Sequence, residues 1–303
     1  MKLATLSIGL IAAISLLGSA AGAPASSSNP GKTDSTCAYR IGFQLISYMN
    51  TSVTKGGEAM CVDNNEEGYR AGIGMFTTKY GSALAVINEY MKSPDYKDEF
   101  KDVIEQLKKT AAAQGGREGL EKFCDAWSKA ALNAGPFFDA QVTVLRSMYE
   151  APALKEAKGL KIRLPLTKAA MTQAALTNGL GNDGKTIGAV ITATNKKFDE
   201  NYVGPSDSTL KINGHEVDEI EWLKEFLNAK DVLADKEVQF SNVFRSVLRR
   251  GYFTLSDEID FKGLEGKDVS IDCSKFTAAK PPAVPTELVI EEQVPPGPFV
   301  ILT

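Results

Sequence analysis

Apolar residues recur at steps of three and four along most of the chain between Ala38 and Arg250. This spacing places them on one face of a helix, so it predicts an amphipathic helix wherever it is sustained. The predicted helices cover residues 38–49, 82–91, 100–112, 119–132, 138–148, 166–177, 185–197, 218–234 and 237–250. The fold class predicted from this pattern is mainly α.

Strand signals are few and short. Runs of apolar and β-branched residues predict strands at Gly72–Phe76, Leu210–Asn213, Tyr252–Leu255 and Leu288–Ile290. Residues 280–298 contain six prolines, which are incompatible with a helix, so residues 280–303 are predicted to form an extended tail.

The first residues have the pattern of a secretory signal peptide. Lys2 supplies a positive start, an apolar run follows to Leu17, and small residues then offer cleavage sites. The run is shorter than the roughly 20 residues that span a bilayer, although an N-terminal membrane anchor stays open as an alternative. We therefore expect a secreted, extracellular protein with a signal peptide at 1–23 and a flexible linker at 24–36. The length of residues 37–279 suits one domain of two lobes with a cleft between them.

The numbers of cysteines and histidines limit which disulfides, metal sites and catalytic triads the chain can form. The mature chain keeps Cys37, Cys61, Cys124 and Cys273, and export predicts two disulfides with three possible connectivities. Cys37–Cys61 is the first expectation, because these two bracket a local hairpin. With no CxxC pair and only His215, zinc sites of the usual ligand spacing and histidine triads are excluded, so we expect no metal and no cofactor.

The net charge is −4 and the sequence pI is about 5.3. This balance argues against a nucleic-acid surface, which needs clustered Lys and Arg. An acidic surface suits a cationic partner, but mild acidity is also common in soluble proteins without one.

Several segments, in order, resemble the chitosanases of glycoside hydrolase family 46. Residues 41–52 (IGFQLISYMNTS) resemble the family's first helix, and 67–76 (EGYRAGIGMF) resemble the Asp-Gly-Arg-Gly-Tyr-Thr stretch that leads into a Gly-Ile-x-Gly-Phe strand. Further similar segments are 77–90, 137–141, 164–183, 218–230 and 244–255. The resemblance implies a lysozyme-like, two-lobed α+β fold with a small β element and a cleft. It also implies inverting hydrolysis of chitosan, a β-1,4-linked glucosamine polymer.

The chain departs from the family at the positions of catalysis. The family's acid position falls on Asn50 and its base position on Asn65, and Glu67 replaces the arginine between the base and Tyr69. An amide neither releases nor takes a proton near neutral pH, so these exchanges should remove about 10²- to 10⁴-fold in rate per group.

Nearby carboxylates could replace the lost pair. Asp63 is the candidate base and Glu58 the candidate acid, with a solvated acidic turn as the alternative. Asn50 also begins an Asn-Thr-Ser sequon, which could carry a glycan or remain an unmodified amide.

The resemblance also places substrate-binding candidates. They are Tyr69, Asn178, Asp183, Asp218, Glu219 and Trp222. A core position is the alternative for Trp222, and charge at a helix N-terminus is the alternative for the acidic pair 218–219. The expected partner is a cationic polysaccharide bound by a monomer, with no nucleic acid and no membrane. Three functions stay open: a chitosanase-type hydrolase, an inactive lectin-like descendant, and a secreted protein-interaction module.

Overall fold

The computed structural model describes residues 35–64, 68–182, 184–199, 202, 210–234, 238–256 and 258–273. The helices are α1 (Ser35–Thr51), α2 (Ser82–Tyr90), α3 (Ile104–Ala113), α4 (Phe123–Ala131), α5 (Ala134–Leu145), α6 (Ala151–Glu156), α7 (Pro165–Asn178), α8 (Ile187–Asn195), α9 (Glu219–Ala234) and α10 (Val238–Arg249). The strands are β1 (Cys61–Asn64), β2 (Gly68–Ala71), β3 (Phe76–Thr77), β4 (Leu210–Ile212), β5 (His215–Val217), β6 (Ile259–Lys262) and β7 (Asp268–Ile271). The remaining elements are two 3₁₀ turns, Gly57–Ala59 and Leu264–Gly266, and one π-helical turn, Arg146–Glu150.

The mainly α prediction is confirmed, and each of the predicted helices overlaps an observed one. The largest difference follows residue 145. The helix predicted at 138–148 begins earlier, in α5, and continues through the π-helical turn into α6. A proline at the second position of α6 is tolerated there because the π-helical turn already interrupts the regular hydrogen-bond ladder.

Two strand predictions are wrong. Residues 72–75 form a turn between β2 and β3, because Gly72 and Met75 both have positive φ and the Met75 N–H donates to the Gly72 carbonyl. Residues 252–255 are also irregular, with Leu255 at φ 49°, and the nearby strand is β6 instead. The prediction at 210–213 is confirmed as β4, which ends at Ile212. Residues 288–290 and the proline-rich tail lie outside the described residues.

The sheets are small and antiparallel. Strands β1, β2 and β3 form one sheet in that order, and the register places Asp63 opposite Tyr69 and Arg70 opposite Thr77. The other two are hairpins, β4–β5 and β6–β7. Only the first of the three lies beside the candidate site.

The helices pack in two groups. In the first, α5 packs on α2 and α4, and α4 also packs on β1 and β2. In the second, α9 packs on α7, α8 and α10. Helix α1 and the continuous α5–α6 helix both reach the second group through contacts with α7.

Each group has an aromatic core. Trp127 of α4 is fully buried, and its ring lies near those of Phe76, Phe100, Phe123 and Phe137. In the second group the fully buried Trp222 ring stacks on Phe226 at 5.2 Å between centroids. These clusters fix the helices that present the polar residues of the site.

Four cysteines form two disulfides, as predicted, but the expected Cys37–Cys61 bond is wrong. The bonds are Cys37–Cys273 and Cys61–Cys124. Cys37 lies in the first turn of α1, and the helix runs about 21 Å from there to Thr51 before the chain turns toward β1. The length of α1 therefore separates the two cysteines, and Cys61 meets α4 instead.

In the part of the chain that the structure describes, no helix is long and apolar enough to cross a membrane. In the same part, His, Cys, Asp and Glu side chains do not group in threes as metal ligands would.

Candidate functional site

The last turn of α1 carries Asn50, the residue that the resemblance predicts at the acid position. Asn50 is half-buried, and its Nδ2 donates to the carbonyl oxygen of Ile73 over 3.1 Å. Ile73 is fully buried in the turn between β2 and β3. An ionised carboxylate has no proton to donate to this carbonyl, so the contact requires an amide or another donor here.

Glu58 lies in the 3₁₀ turn that follows α1. Its carbonyl oxygen accepts two hydrogen bonds, from Trp127 Nε1 at 2.8 Å and from Gln141 Nε2 at 3.1 Å. A Cβ on the preceding Gly57 would lie 2.1 Å from Ser47 Oγ of α1, so the absence of a side chain at Gly57 allows this close approach. The backbone of Glu58 is therefore held against the C-terminal end of α1, with its side chain half-buried.

Gln141 of α5 connects these two segments. Its side chain is fully buried, and its Oε1 accepts from the Ile73 N–H over 2.9 Å while its Nε2 donates to Glu58. Hydrogen bonds thus run from Glu58 through Gln141 to Ile73, and from Ile73 to Asn50. The structure brings the candidate acid Glu58 and Asn50 into one hydrogen-bond network.

Asp63 lies farther along β1, on the face that carries its register partner Tyr69. Its Oδ2 forms an ion pair with Arg117 of the α3–α4 connection, and both side chains are nearly half exposed. The Tyr69 ring stacks on Phe123, with 5.6 Å between centroids. Burial, and next the charge of Asp63, raises the pKa of Tyr69, while Arg117 opposes the rise.

The structure describes only some of the remaining predicted positions. Asn65, Glu67 and Asp183 lie outside the described residues. Asn178, in the last turn of α7, donates from Nδ2 to the Lys185 carbonyl over 3.1 Å. Its amide therefore closes the loop between α7 and α8.

Glu219 and Asp218 hold helix ends. The buried Glu219 carboxylate accepts from the backbone N–H groups of residues 163–164, at 2.9 and 2.8 Å, just before α7. Asp218 Oδ1 accepts from the N–H groups of Ile220 and Glu221, which makes it the N-cap of α9. Both carboxylate oxygens of Glu219 already accept hydrogen bonds from the backbone, and its binding role stays a prediction.

Trp222 lies in the core, which was the alternative to its predicted binding role. Its side chain is fully buried, and its Nε1 donates to Asn195 Oδ1 over 2.9 Å. A ring in this position cannot stack on a sugar.

Comparison with known proteins decides the family. The family model for glycosyl hydrolase family 46 matches residues 44–263, more than two thirds of the chain. This protein belongs to glycoside hydrolase family 46. The matched range contains Asn50, Glu58, Asp63 and Gln141, together with the Cys61–Cys124 disulfide. The Cys37–Cys273 disulfide joins residues on either side of it.

Characterised relatives carry the same fold. The chitosanase of Bacillus subtilis (strain 168) is 31% identical over 165 residues, which is 54% of this chain and 54% of that protein, so the chain spans about half of this relative's length. The chitosanase variant from Bacillus subtilis MY002 complexed with 6 GlcN matches with a TM-score of 0.60 at 24% identity, over 78% of this chain and 98% of that one. The Gynuella sunshinyii chitosanase complexed with chitotetraose gives a TM-score of 0.60 at 24% identity, over 77% and 97%. At this identity the solved structures establish the mainly α, lysozyme-like fold of the family.

A buried polar cluster near the start of α1 was not predicted from the sequence. Arg40 forms an ion pair with Asp139 at 3.1 Å, and Arg146 Nε donates to Glu150 over 3.0 Å beneath the Tyr39 ring. Burial raises the pKa of Asp139 although Arg40 opposes the rise. The segment 137–141, quoted above for its family resemblance, was the only signal that pointed to Asp139 and Gln141.

Proposed function

We propose that this member of family 46 is a chitosanase-type glycoside hydrolase acting on β-1,4-linked glucosamine polymers. The family match carries this proposal, because residues 44–263 include each described residue of the candidate site. Two structural relatives were solved with glucosamine oligomers, 6 GlcN and chitotetraose. The net charge of −4 suits a polymer that is cationic when protonated.

The proposed reaction is inverting hydrolysis, which needs one carboxyl group to protonate the leaving oxygen and one carboxylate to activate water. Glu58 is the proposed acid, supported by the contact of its 3₁₀ turn with α1, at whose end the family's acid is expected. Asp63 is the proposed base. Arg117 engages its Oδ2, and among the described residues no hydrogen bond to its Oδ1 is formed, which leaves that oxygen for a water molecule.

The test is release of reducing ends from soluble chitosan. Glu58→Gln and Asp63→Asn should each lower the rate by about 10²- to 10⁴-fold, because each removes one proton-transfer group. Glu118→Gln is the matched control, since Glu118 is an exposed carboxylate beside Arg117 with no proposed role. Absence of reducing ends with the wild-type protein would refute hydrolysis.

One observation favours a second function, a lectin-like protein that binds the polymer without cleaving it. The hydrogen bond from Asn50 to the Ile73 carbonyl supports this function, because it gives a structural role to the residue on which the resemblance places the acid. This alternative predicts that the protein is retained on chitosan and that Glu58→Gln leaves retention unchanged. A pull-down on chitosan beads, run beside the reducing-end assay, separates the two functions.

We also propose that the protein is secreted as a monomer after removal of residues 1–23. The two disulfides support an oxidising destination. Mass spectrometry of the exported chain should give a new N-terminus near residue 24, and light scattering should give the monomer mass. A retained N-terminus would contradict export by cleavage.

A further inference from the structure

Gln141 is a buried side chain with two long-range hydrogen bonds. Its partners are Ile73, 68 residues away in the sequence, and Glu58, 83 residues away. The acceptor bond is 2.9 Å and the donor bond is 3.1 Å. The amide thus adds a side-chain link between two segments that the Gly72 N–H also joins, by donating to the Met60 carbonyl over 2.7 Å.

The backbone around Gln141 leaves its side-chain amide little room to move. A Cβ on Gly72 would lie 2.3 Å from Gln141 Oε1, so the turn approaches the amide more closely than any other residue allows. Gly72 also has φ +73°, which glycine adopts without strain. The Glu58 carbonyl receives a second bond from Trp127, but that bond leaves Ile73 untouched.

The peptide groups flanking Ile73 are held on two sides. Gln141 accepts from its N–H, and Asn50 at the end of α1 donates to its carbonyl. Any movement of the Glu58 segment relative to α1 must therefore lengthen a bond to Gln141 or to Ile73. An ionised glutamate at position 141 could accept from Ile73 but could not donate to Glu58.

We propose that Gln141 is a positioning residue that holds Glu58 at a fixed place beside the last turn of α1. This role rests on the proposed function, in which the Glu58 carboxyl is the proton donor. Displacing a proton donor by about 1 Å costs up to roughly 100-fold in rate, even when the mutated residue never touches the substrate.

The test compares Gln141→Met with Thr194→Val. Met is unbranched and of similar length, and it removes both hydrogen bonds. Thr194 is fully buried in α8 and donates to the Val190 carbonyl over 2.8 Å, so its valine variant loses a buried hydrogen bond away from the site. Two readouts are needed: kcat and KM on a glucosamine hexamer, and the ¹³C chemical shift of the Glu58 carboxyl at fixed pH.

Gln141→Met should lower kcat by roughly 10- to 100-fold with KM changed less than about twofold, and it should move the Glu58 carboxyl signal. Thr194→Val should leave both readouts as in the wild type. An unmoved Glu58 signal in Gln141→Met would overturn the positioning role, whatever the activity. If the wild type cleaves nothing, hydrolysis fails as a function, and the Glu58 signal alone still decides the role of Gln141. Should Gln141→Met not fold, Gln141→Glu keeps the acceptor for Ile73 and is measured in the same way.

Discussion

Asn50 Nδ2 donates to the carbonyl oxygen of Ile73 across 3.1 Å, and this bond joins the last turn of α1 to the turn between β2 and β3. Resemblance to the family places an acid at this position, yet the chain uses a donor there. An ionised carboxylate would set an oxygen against the Ile73 carbonyl and leave that buried group unpaired. The Asn50 amide is thus part of the local structure.

Asn50→Asp should therefore destabilise the protein. The change keeps the shape and removes the donor, so the free energy of unfolding should fall by about 1–3 kcal/mol at neutral pH. Urea denaturation followed by circular dichroism measures the difference.

Asn178→Asp is the matched control for this change. Asn178 also donates to a carbonyl, that of Lys185, over 3.1 Å, but its bond is exposed to water. Asn178→Asp should lower the free energy of unfolding by less than about 1 kcal/mol, since water can replace the lost partner. An equal loss of unfolding free energy in the two variants would show that the Asn50 hydrogen bond stabilises the fold no more than the exposed one does.

The second prediction concerns the contribution of the Glu219 carboxylate to stability. Because its two oxygens accept from the backbone N–H groups of residues 163–164, Glu219→Ala should lower the free energy of unfolding by about 2–4 kcal/mol. Asp218→Ala removes only the α9 cap and should cost about 1 kcal/mol. Neither should change retention on chitosan per folded molecule. A Glu219→Ala protein of wild-type stability that no longer binds would support the substrate-binding interpretation.

The helices could be predicted from the sequence because their apolar spacing is local information. Trp222 shows the strength of that signal, since its helical spacing favoured the core and the ring is fully buried. The strand β1 carried no comparable signal. Its sequence, Cys-Val-Asp-Asn, does not alternate clearly, and pairing with β2 and the bond to Cys124 fix its place.

The sequence predicted which residues belong to the candidate site, but it did not predict how they are arranged. Asn50 was named from the resemblance and Glu58 as a nearby carboxylate, and one connection between them runs through Gln141, on another helix 83 residues beyond Glu58. No periodicity or short motif encodes a contact of that separation. The expected Cys37–Cys61 bond was wrong because the length of α1 lies between these two residues, although they are close in sequence. The true partner of Cys37 is 236 residues away.

The Cys61–Cys124 bond supports a third prediction. It ties β1, two residues before Asp63, to α4 and closes a separation of 63 residues. By the chain-entropy relation its loss should cost about 4 kcal/mol. The Cys61→Ala, Cys124→Ala double variant should therefore melt well below the wild type in calorimetry. It should also lose activity at temperatures where it stays folded, since β1, which carries Asp63, then lacks its covalent link to α4.

Removal of the Cys37–Cys273 bond by the same double exchange is the control. It joins the first turn of α1 to a residue beyond β7, far along the chain from Asp63. That variant should lose stability and keep its activity per folded molecule. If both double variants lost activity equally, the specific link between the β1 bond and the site would be contradicted.

Glu150 lies in the π-helical turn with its side chain 12% exposed, and Arg146 Nε donates to it over 3.0 Å. Burial raises the pKa of Glu150, while the charges of Arg146 and, more weakly, Lys168 of α7 oppose the rise. In the unfolded chain the same carboxyl has its ordinary pKa. Between the two values the folded protein holds a proton that the unfolded chain releases, so stability must fall as pH rises through that window.

The free energy of unfolding of the wild type, minus that of Glu150→Gln, should therefore decrease from about pH 4 upward until the folded-state pKa is passed. One proton limits the slope to about 1.4 kcal/mol per pH unit. Urea denaturation at half-unit intervals measures it, and the subtraction cancels groups such as Asp139 that titrate in both proteins. Glu105→Gln is the control, because Lys108 lowers the pKa of the exposed Glu105 and any slope should have the opposite sign. A difference that grows with pH for Glu150→Gln would mean that the pair with Arg146 outweighs burial.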